Sequence, residues 1–401
     1  MGEWGEVAVG DLAENFNRRR IPLSKIERDK RQGDYPYYGA QGVIDYVDGY
    51  LFDGQFLLVA EDGENLRSRK QPIARLVSGR FWVNNHAHVI QAKSDVGDDR
   101  FLLHAINVAP LSGRITGAAQ PKLTKAALLD LAIRCPPHAS QRRIAAVLSA
   151  FDELIEINER RIEVLEDLAR SLYREWFVHF RFPCHQDVEM VDSELGPIPE
   201  GWGVGSFGDV AGVVVDGVSP ADEPPSVKYV GLEHLPRRRT TLLDWGALDQ
   251  VTSRKLRFRS GDTLFGKIRP YFHKVAWAGF DGVASSDTVV LRAKAPRVAA
   301  LINATASSDQ FVAETVASSN GTKMPRANPE AMLAYRLALP RGTLLHAFDE
   351  RVTPMLLSSA HLANQNRYLA ATRDLLLPRV VTGRLDISDL DLGALTPAEA
   401  G

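Results

Sequence analysis

The chain has 401 residues, 45% of them hydrophobic and 24% charged, and its 48 Lys+Arg and 50 Asp+Glu leave a formal net charge of −2. This is too long for one ordinary domain and too balanced for a disordered, collagen-like or uniformly basic protein. Cys135 and Cys184 are the only cysteines, which excludes a disulfide framework and fits a reducing cytoplasm. The MGEWGEV start lacks the basic-then-apolar pattern of a secretory signal, and no run nears the roughly 18 apolar residues of a membrane span. The expectation is a soluble, cytoplasmic protein.

In chain order, residues 1–138 alternate short strand-like runs with Gly- and Asp-rich turns, as in QFLLVAEDG (55–63) and FWVNNHAHVIQA (81–92). A helix is predicted over Thr124–Ile133. Residues 139–182 then carry one long helical pattern. Neither Pro nor Gly occurs between Ala139 and Phe180, and Ile144, Val147, Phe151, Ile155, Ile162, Leu165, Ala169, Leu172 and Trp176 recur at 3–4 spacing. Residues 183–200 read as an extended linker, because His185 to Trp202 carries five acids, two prolines and no Lys or Arg. Residues 201–342 return to mixed patterning, with GDTLFGKI (261–268), SSDTVVLRA (285–293) and a helix over Val298–Ser319. Residues 343–383 hold a second long helix through Leu345, Phe348, Val352, Met355, Leu362, Leu369 and Leu376, with a kink expected at Pro354. Residues 384–401 form an acidic, fraying tail.

Two internal matches tie these segments together. Trp4-Gly5 followed by Gly10-Asp11-Leu12-Ala13 repeats as Trp202-Gly203 followed by Gly208-Asp209-Val210-Ala211. PKLTKAALLDLAIRCP (121–136) aligns with PRANPEAMLAYRLALP (325–340), sharing a basic residue after the first proline (Lys122, Arg326) and a polar one two further on (Thr124, Asn328). A nearly constant offset of half the chain implies duplication. The fold class is therefore α+β: two pseudo-symmetric globular domains separated by two long antiparallel coiled-coil helices. Each helix, roughly 60 Å long, must bury its stripe, and the other is the economical partner. Asn158 and Asn366 fall on the seam, where buried amides fix register.

Enzyme-like motifs fail on their context. Gly261 to Lys267 has phosphate-loop spacing, but Ile268 stands where Ser or Thr should ligate magnesium, and Arg269-Pro270 follows instead of a helix start. Gly203-x-Gly205-x-x-Gly208 has dinucleotide spacing without a preceding strand and reads as a turn. His86 and His88 lack a third ligand, while Asp53, Glu61 and Asp62 read as turn residues around Gly54 and Gly63. No catalytic residues and no metal site are assigned. The nucleic-acid signal is local: eleven Lys or Arg against four acids between Lys228 and Lys274, with interleaved aromatics, and a second basic stretch from Arg18 to Arg31.

YYGAQGVIDYVD (37–48), LFDG (51–54), AEDG (60–63), FWVNNHAH (81–88) and GDTLFGKIRP (261–270), with Gln120-Pro121-Lys122-Leu123, Pro136-Pro137 and Gln141, resemble the specificity subunits of type I restriction–modification enzymes. The resemblance spans essentially the whole chain; Pro340-Arg341-Gly342 departs from it where a Pro-Pro…Gln run is expected. It implies a non-catalytic subunit in which each half, a target-recognition domain, reads one part of a split double-stranded DNA site while the helices set the gap. It implies two modification (methyltransferase) subunits gripping the helices, with Phe151, Leu165, Leu172, Phe348, Leu362 and Leu369 as contact positions, and restriction subunits beyond them. S-adenosylmethionine, and ATP with magnesium, belong on those partners, leaving no cofactor in this chain. Tyr38, Gln41, Asn84, Asn85, His86 and Lys122 in the first half, and Lys267, Arg269, Tyr271, Lys274, Lys323 and Arg326 in the second, are the expected DNA-binding residues. Two rival readings are a self-contained DNA methyltransferase or nuclease with fused recognition domains, and a coiled-coil scaffold without a DNA role.

Overall fold

A computed structural model describes residues 4–321, 323–340 and 342–387, apart from the Gln250 side chain, so most of the acidic tail (from 388) lies outside the described residues. The chain divides into two compact units, residues 1–153 with 370–401, and residues 154–369.

In the first unit the strand Gly5–Ala8 pairs antiparallel with Ala132–Cys135, and the one-turn helix Val9–Leu12 leads into Ala13–Asn15. That strand edges an antiparallel sheet ordered Ala13–Asn15, Ala87–Ala92, Phe56–Ala60, Ala74–Val77. Every residue of Phe56–Ala60 is buried, as an unbroken apolar run on an inner strand should be. A second sheet runs Gly42–Val47, Tyr35–Gly39, Arg80–Val83, Phe52–Asp53, its middle pair parallel. Leu57, Val59, Ile90, Phe101 and Leu148 form the core with Val380 and Val381 from the end of the second long helix. The helix predicted over Thr124–Ile133 stops early. It covers Lys125–Leu129, capped by the Thr124 hydroxyl, and Ala132–Cys135 alternates exposed and buried as a strand.

The second unit repeats this order. Gly203–Ser206 pairs with Arg336–Leu339, the helix Phe207–Val210 follows, and Ala211–Val213 edges a sheet with Thr288–Ala293, Thr263–Gly266 and Val275–Trp277. Its second sheet has five strands and again a parallel pair, Lys228–Val230 beside Gly282–Ala284. The glycine-spaced stretch 203–208 is thus a paired strand and a helical turn, not a loop. The helix expected over Val298–Ser319 is two, Ala299–Ala306 and Asp309–Ala317, because Ser308 leaves the helix and caps the second through its hydroxyl. The two repeat motifs prove to be packed on each other. A side chain on Gly10 would meet the Leu129 carbonyl at 3.2 Å, and one on Gly208 the Leu333 carbonyl at 3.0 Å, so only glycine allows that approach.

The first long helix, His138–Tyr173, widens into a π-helical turn over Arg174–Val178, short of the predicted 182, and turns Trp176 and Phe177 inward. The second runs Thr343–Val381, its helical assignment unbroken at Pro354. They pair antiparallel. In the second unit Asn158 meets Asn366 (Nδ2 to Oδ1, 2.9 Å) and Trp176 meets Phe348; in the first, Asp152 holds Arg373. The stretch predicted as an extended linker instead folds into a hairpin, Met190–Val191 with Ile198–Pro199, closed by Ser193 and by Gly196 at φ +88°. No helix among the described residues is long and apolar enough to cross a membrane.

His104, on the helix Asp99–Val108, is 5% exposed, and its Nε2 has no partner among the described residues. Burial pushes its imidazole from the usual 6.5 down to about 4, with Arg373 and Arg100 working the same way and Asp152 and Asp98 opposing. The native chain therefore keeps it neutral while the unfolded chain protonates it. Between those values the unfolded state binds the extra proton, so stability falls as pH drops from 6.5 to 4. The expected loss is about 3 kcal/mol. Melting curves across this window should show the decline, and His104→Leu should flatten it.

Candidate nucleic-acid interface

In the first unit three segments meet where strand Phe56–Ala60 ends. Glu61 N–H donates to the His86 carbonyl (2.9 Å), Gly63 N–H to the Pro121 carbonyl (3.0 Å), and Leu123 N–H to the Glu61 carbonyl (2.8 Å). Asn84 N–H donates to the Tyr38 carbonyl (3.0 Å), and Asp62 bridges Lys122. The Asn84 carboxamide oxygen closes the turn by accepting His86 N–H at 2.8 Å.

The second unit builds the same backbone frame at the end of Thr263–Gly266. Lys267 N–H donates to the Asp287 carbonyl, Arg269 N–H to the Pro325 carbonyl and Ala327 N–H to the Lys267 carbonyl, each at 2.8 Å. Ser285 N–H donates to the Val230 carbonyl (2.9 Å), Ile268 bridges Arg326, and the Ser285 hydroxyl accepts Asp287 N–H at 3.2 Å. Bond for bond, Glu61, Gly63, His86 and Lys122 stand where Lys267, Arg269, Asp287 and Arg326 stand in the other unit.

The side chains on these frames differ in sign. In the first, Glu61 is nearly enclosed and holds Arg20 (2.9 Å) and Lys122 (3.3 Å). Burial alone would raise its carboxyl, but Arg20, His88 and Lys122 outweigh that and hold it below the usual range. Asp62 fixes His86 through Nδ1 at 2.6 Å, leaving the imidazole half-exposed. His88 is wholly buried, between Asn17 (2.8 Å) and the Leu123 carbonyl (2.8 Å), and burial lowers its pKa. It fastens the frame rather than a ligand. In the second frame Lys267 and Arg269 have no side-chain partner among the described residues, and Arg326 faces Asp287 at 3.9 Å.

The structure gathers Gln41, Asn85, His86 and Lys122 on one frame, and Lys267, Arg269 and Arg326 on the other, with the exposed Tyr271 ring two residues on and Lys323 in the loop that Asn320 and Arg326 close. Three expected contact residues do other work. Asn84 is buried and holds its turn, and Tyr38 packs edge-on against Phe81. The Lys274 ammonium donates to the Leu232 carbonyl. Much of the basic stretch 18–31 is likewise engaged internally: Arg20 with Glu61, Arg28 with Asp45, Arg31 with Asp48. Sequence reasoning passed over Glu61 and Asp62 as turn residues and left Ser285, Ser286 and Asp287 unassigned within the run SSDTVVLRA. Only the spacing between the repeat matches could have pointed to them.

The GDTLFGK stretch cannot cradle a phosphate, because Thr263–Gly266 is a buried inner strand whose N–H groups serve its neighbours. Among the described residues no three His, Cys, Asp or Glu side chains gather as a metal shell.

Phe348, expected to meet a partner, is instead fully enclosed against Trp176 and Phe177. Phe151, Leu165, Leu172, Leu362 and Leu369 are half-buried. Exposed apolar side chains of the second unit's helical parts include Leu154, Ile157, Val164, Leu168 and Leu357, with a groove among Ile157, Val164, Leu165, Leu357 and Leu362 rimmed by Arg160, Arg161 and His361.

Comparison with known proteins agrees with this architecture. Residues 1–167 match the family described as the type I restriction modification DNA specificity domain. The chain is 25% identical to the type I restriction enzyme MjaIX specificity subunit of Methanocaldococcus jannaschii, over 97% of its own length and 98% of that relative's. It is 36% identical to a Haemophilus influenzae chain named as a type I restriction enzyme specificity subunit, across 36% of this chain and only 37% of that relative. Among solved structures, the S subunit of the type I restriction–modification system from M. genitalium has a TM-score of 0.65 at 12% identity, covering 96% of this chain and 97% of that one, a likeness of fold.

Proposed function

We propose that this chain, a non-catalytic member of the type I restriction enzyme specificity-subunit family, acts in the cytoplasm by reading a bipartite double-stranded DNA site, one part by each unit, with the long helices setting the gap. The observation that carries the reading is the duplicated frame: one backbone scaffold, used twice, with different exposed polar side chains. A fixed frame with interchangeable side chains suits a reader of two different half-sites, where phosphate contacts position the protein and base contacts specify the sequence. Half-sites one turn apart lie about 34 Å from each other, within the reach of helices of this length.

The partners are two modification subunits, which bind S-adenosylmethionine and methylate adenine, and restriction subunits, which use ATP with magnesium. The outward apolar stripe from Leu154 to Leu168 with Leu357 is the surface for the modification subunits, in place of the enclosed Phe348. Leucines and valines in such a row on a helix pair are costly to leave in water.

The test is to assemble the chain with its modification subunits, methylate a randomised DNA library and sequence the methylated adenines. A two-part motif with a fixed gap is expected. Lengthening both helices by one heptad, about 10 Å, should widen the gap by about three base pairs and leave both half-motifs intact. An unchanged gap would refute the ruler, and methylation without any motif would favour a scaffold with no DNA role. Methyl transfer by the chain alone would point to a self-contained enzyme.

A further inference from the structure

The two frames differ most tellingly at one backbone position. Gly63 in the first unit and Arg269 in the second make the same hydrogen bond to a proline carbonyl, and both have positive φ, +111° and +50°. Glycine takes such a backbone at little cost, whereas an L residue, which carries a Cβ, pays for it. The second unit nevertheless carries an arginine there. Arg69, Arg238 and Arg297 share such a backbone elsewhere in the chain; strain of this kind persists where the surrounding structure imposes it and is enriched at ligand-contacting sites. Nothing within the protein explains this arginine: the Arg269 side chain is exposed and has no hydrogen bond or ion pair among the described residues. Cationic Lys267 lies two residues before it, and Arg326 directly follows the Pro325 that its N–H bonds, so folding alone would disfavour a further charge.

The frames also sort their positions by chemistry. Lys122 and Arg326 are basic in both units, as expected of a contact both half-sites share, the phosphate backbone. The pairs Glu61/Lys267, Gly63/Arg269 and His86/Asp287 change character, as expected of positions that face different bases. In the first unit the space above Gly63 is approached from elsewhere: a Cβ there would lie 4.0 Å from the Gln41 amide nitrogen.

We propose that Arg269 is the specificity-determining residue of the second unit's half-site, its planar fork donating to O6 and N7 of one guanine in the major groove. This rests on the DNA-reading function proposed above. The guanidinium presents two parallel donors in one rigid plane matched to that edge, which a lysine ammonium reaches only as a compact charge on a flexible stem.

The first unit supplies the folding control, since it already uses glycine at this place. In the assembled complex with its modification subunits, Arg269→Gly should melt no lower than the original protein. Its sequenced methylation motif should lose the requirement for guanine at one position of one half-site, with discrimination there falling about ten- to a hundredfold and the other half-site unchanged. Arg269→Lys keeps the charge and should relax the same position by less than Arg269→Gly while retaining the salt dependence of binding. A motif unchanged in both variants would overturn the assignment. So would an even loss of affinity for all sequences with a salt slope reduced by about one, the mark of a phosphate contact. If the original complex methylates with no motif at all, the DNA-reading function fails, and this assignment with it; a motif unaltered at every position by Arg269→Gly refutes the assignment alone.

Discussion

Phe348→Ala is expected to destabilise the second unit by about 3–5 kcal/mol. The ring is 0% exposed and sits 4.9 Å from the Phe177 ring, edge to face, and 5.8 Å from that of Trp176. Truncation therefore removes both transfer energy and two aromatic contacts, and leaves a cavity that rigid helices close poorly. The second unit's core also includes Tyr173, Leu301 and Val352 around the same ring, so the loss spreads to strand-bearing parts. Hydrogen exchange resolved by segment is the right measurement, because a chain of two compact units need not unfold in one step. Protection should fall in residues 169–182 and 344–356 while Phe56–Ala60 keeps its own. Uniform loss in both units would contradict this.

The second large effect is expected at Glu166. Its carboxylate is 3% exposed and accepts Thr241 N–H (2.7 Å), Thr240 N–H (3.0 Å) and Arg239 Nε (3.2 Å). One side chain of the first long helix thus satisfies a loop of the second unit's globular part. Glu166→Ala strands the buried Thr241 and half-buried Thr240 N–H groups, leaves Arg239 only Glu163 at 3.5 Å, and should cost about 3 kcal/mol. Glu166→Gln keeps an acceptor of the same shape and should cost distinctly less. Denaturant midpoints of the two variants, compared under one buffer, check the order; an alanine variant as stable as the glutamine one would show that the loop is held by other contacts.

Periodicity made much of the architecture legible. The long helices were visible because a stripe buried along one face leaves its spacing over many turns, and the meeting of Asn158 with Asn366 followed from their places on that stripe. The motif after each Trp-Gly pair was legible because Gly10 and Gly208 have a steric reason to persist. The frames were not. Their members come from three separated segments whose offsets between halves are unequal, Glu61 to Lys267, His86 to Asp287 and Lys122 to Arg326, because loops of different length intervene. Their charges also oppose one another, so no similarity of side chains betrays the shared backbone. Phe348 was misjudged for a related reason. Helical spacing says which residues share a face, but not whether that face meets its own partner helix or another molecule.

The Asn158–Asn366 contact has a consequence for how such a chain can change. Asn158 also donates to Gln365, and Asn366 to the Ile155 carbonyl, so the pair is satisfied in one alignment of the helices only. A slip of a single turn would part the two amides and set each opposite an apolar residue, with no one to bond. Insertions or deletions are therefore tolerable only in matched numbers on both strands of the pair, like teeth added to both sides of a zip. Unequal recombination within one helix should yield protein that is cleared by the cell's quality control, whereas a balanced exchange should yield a sound molecule of new length.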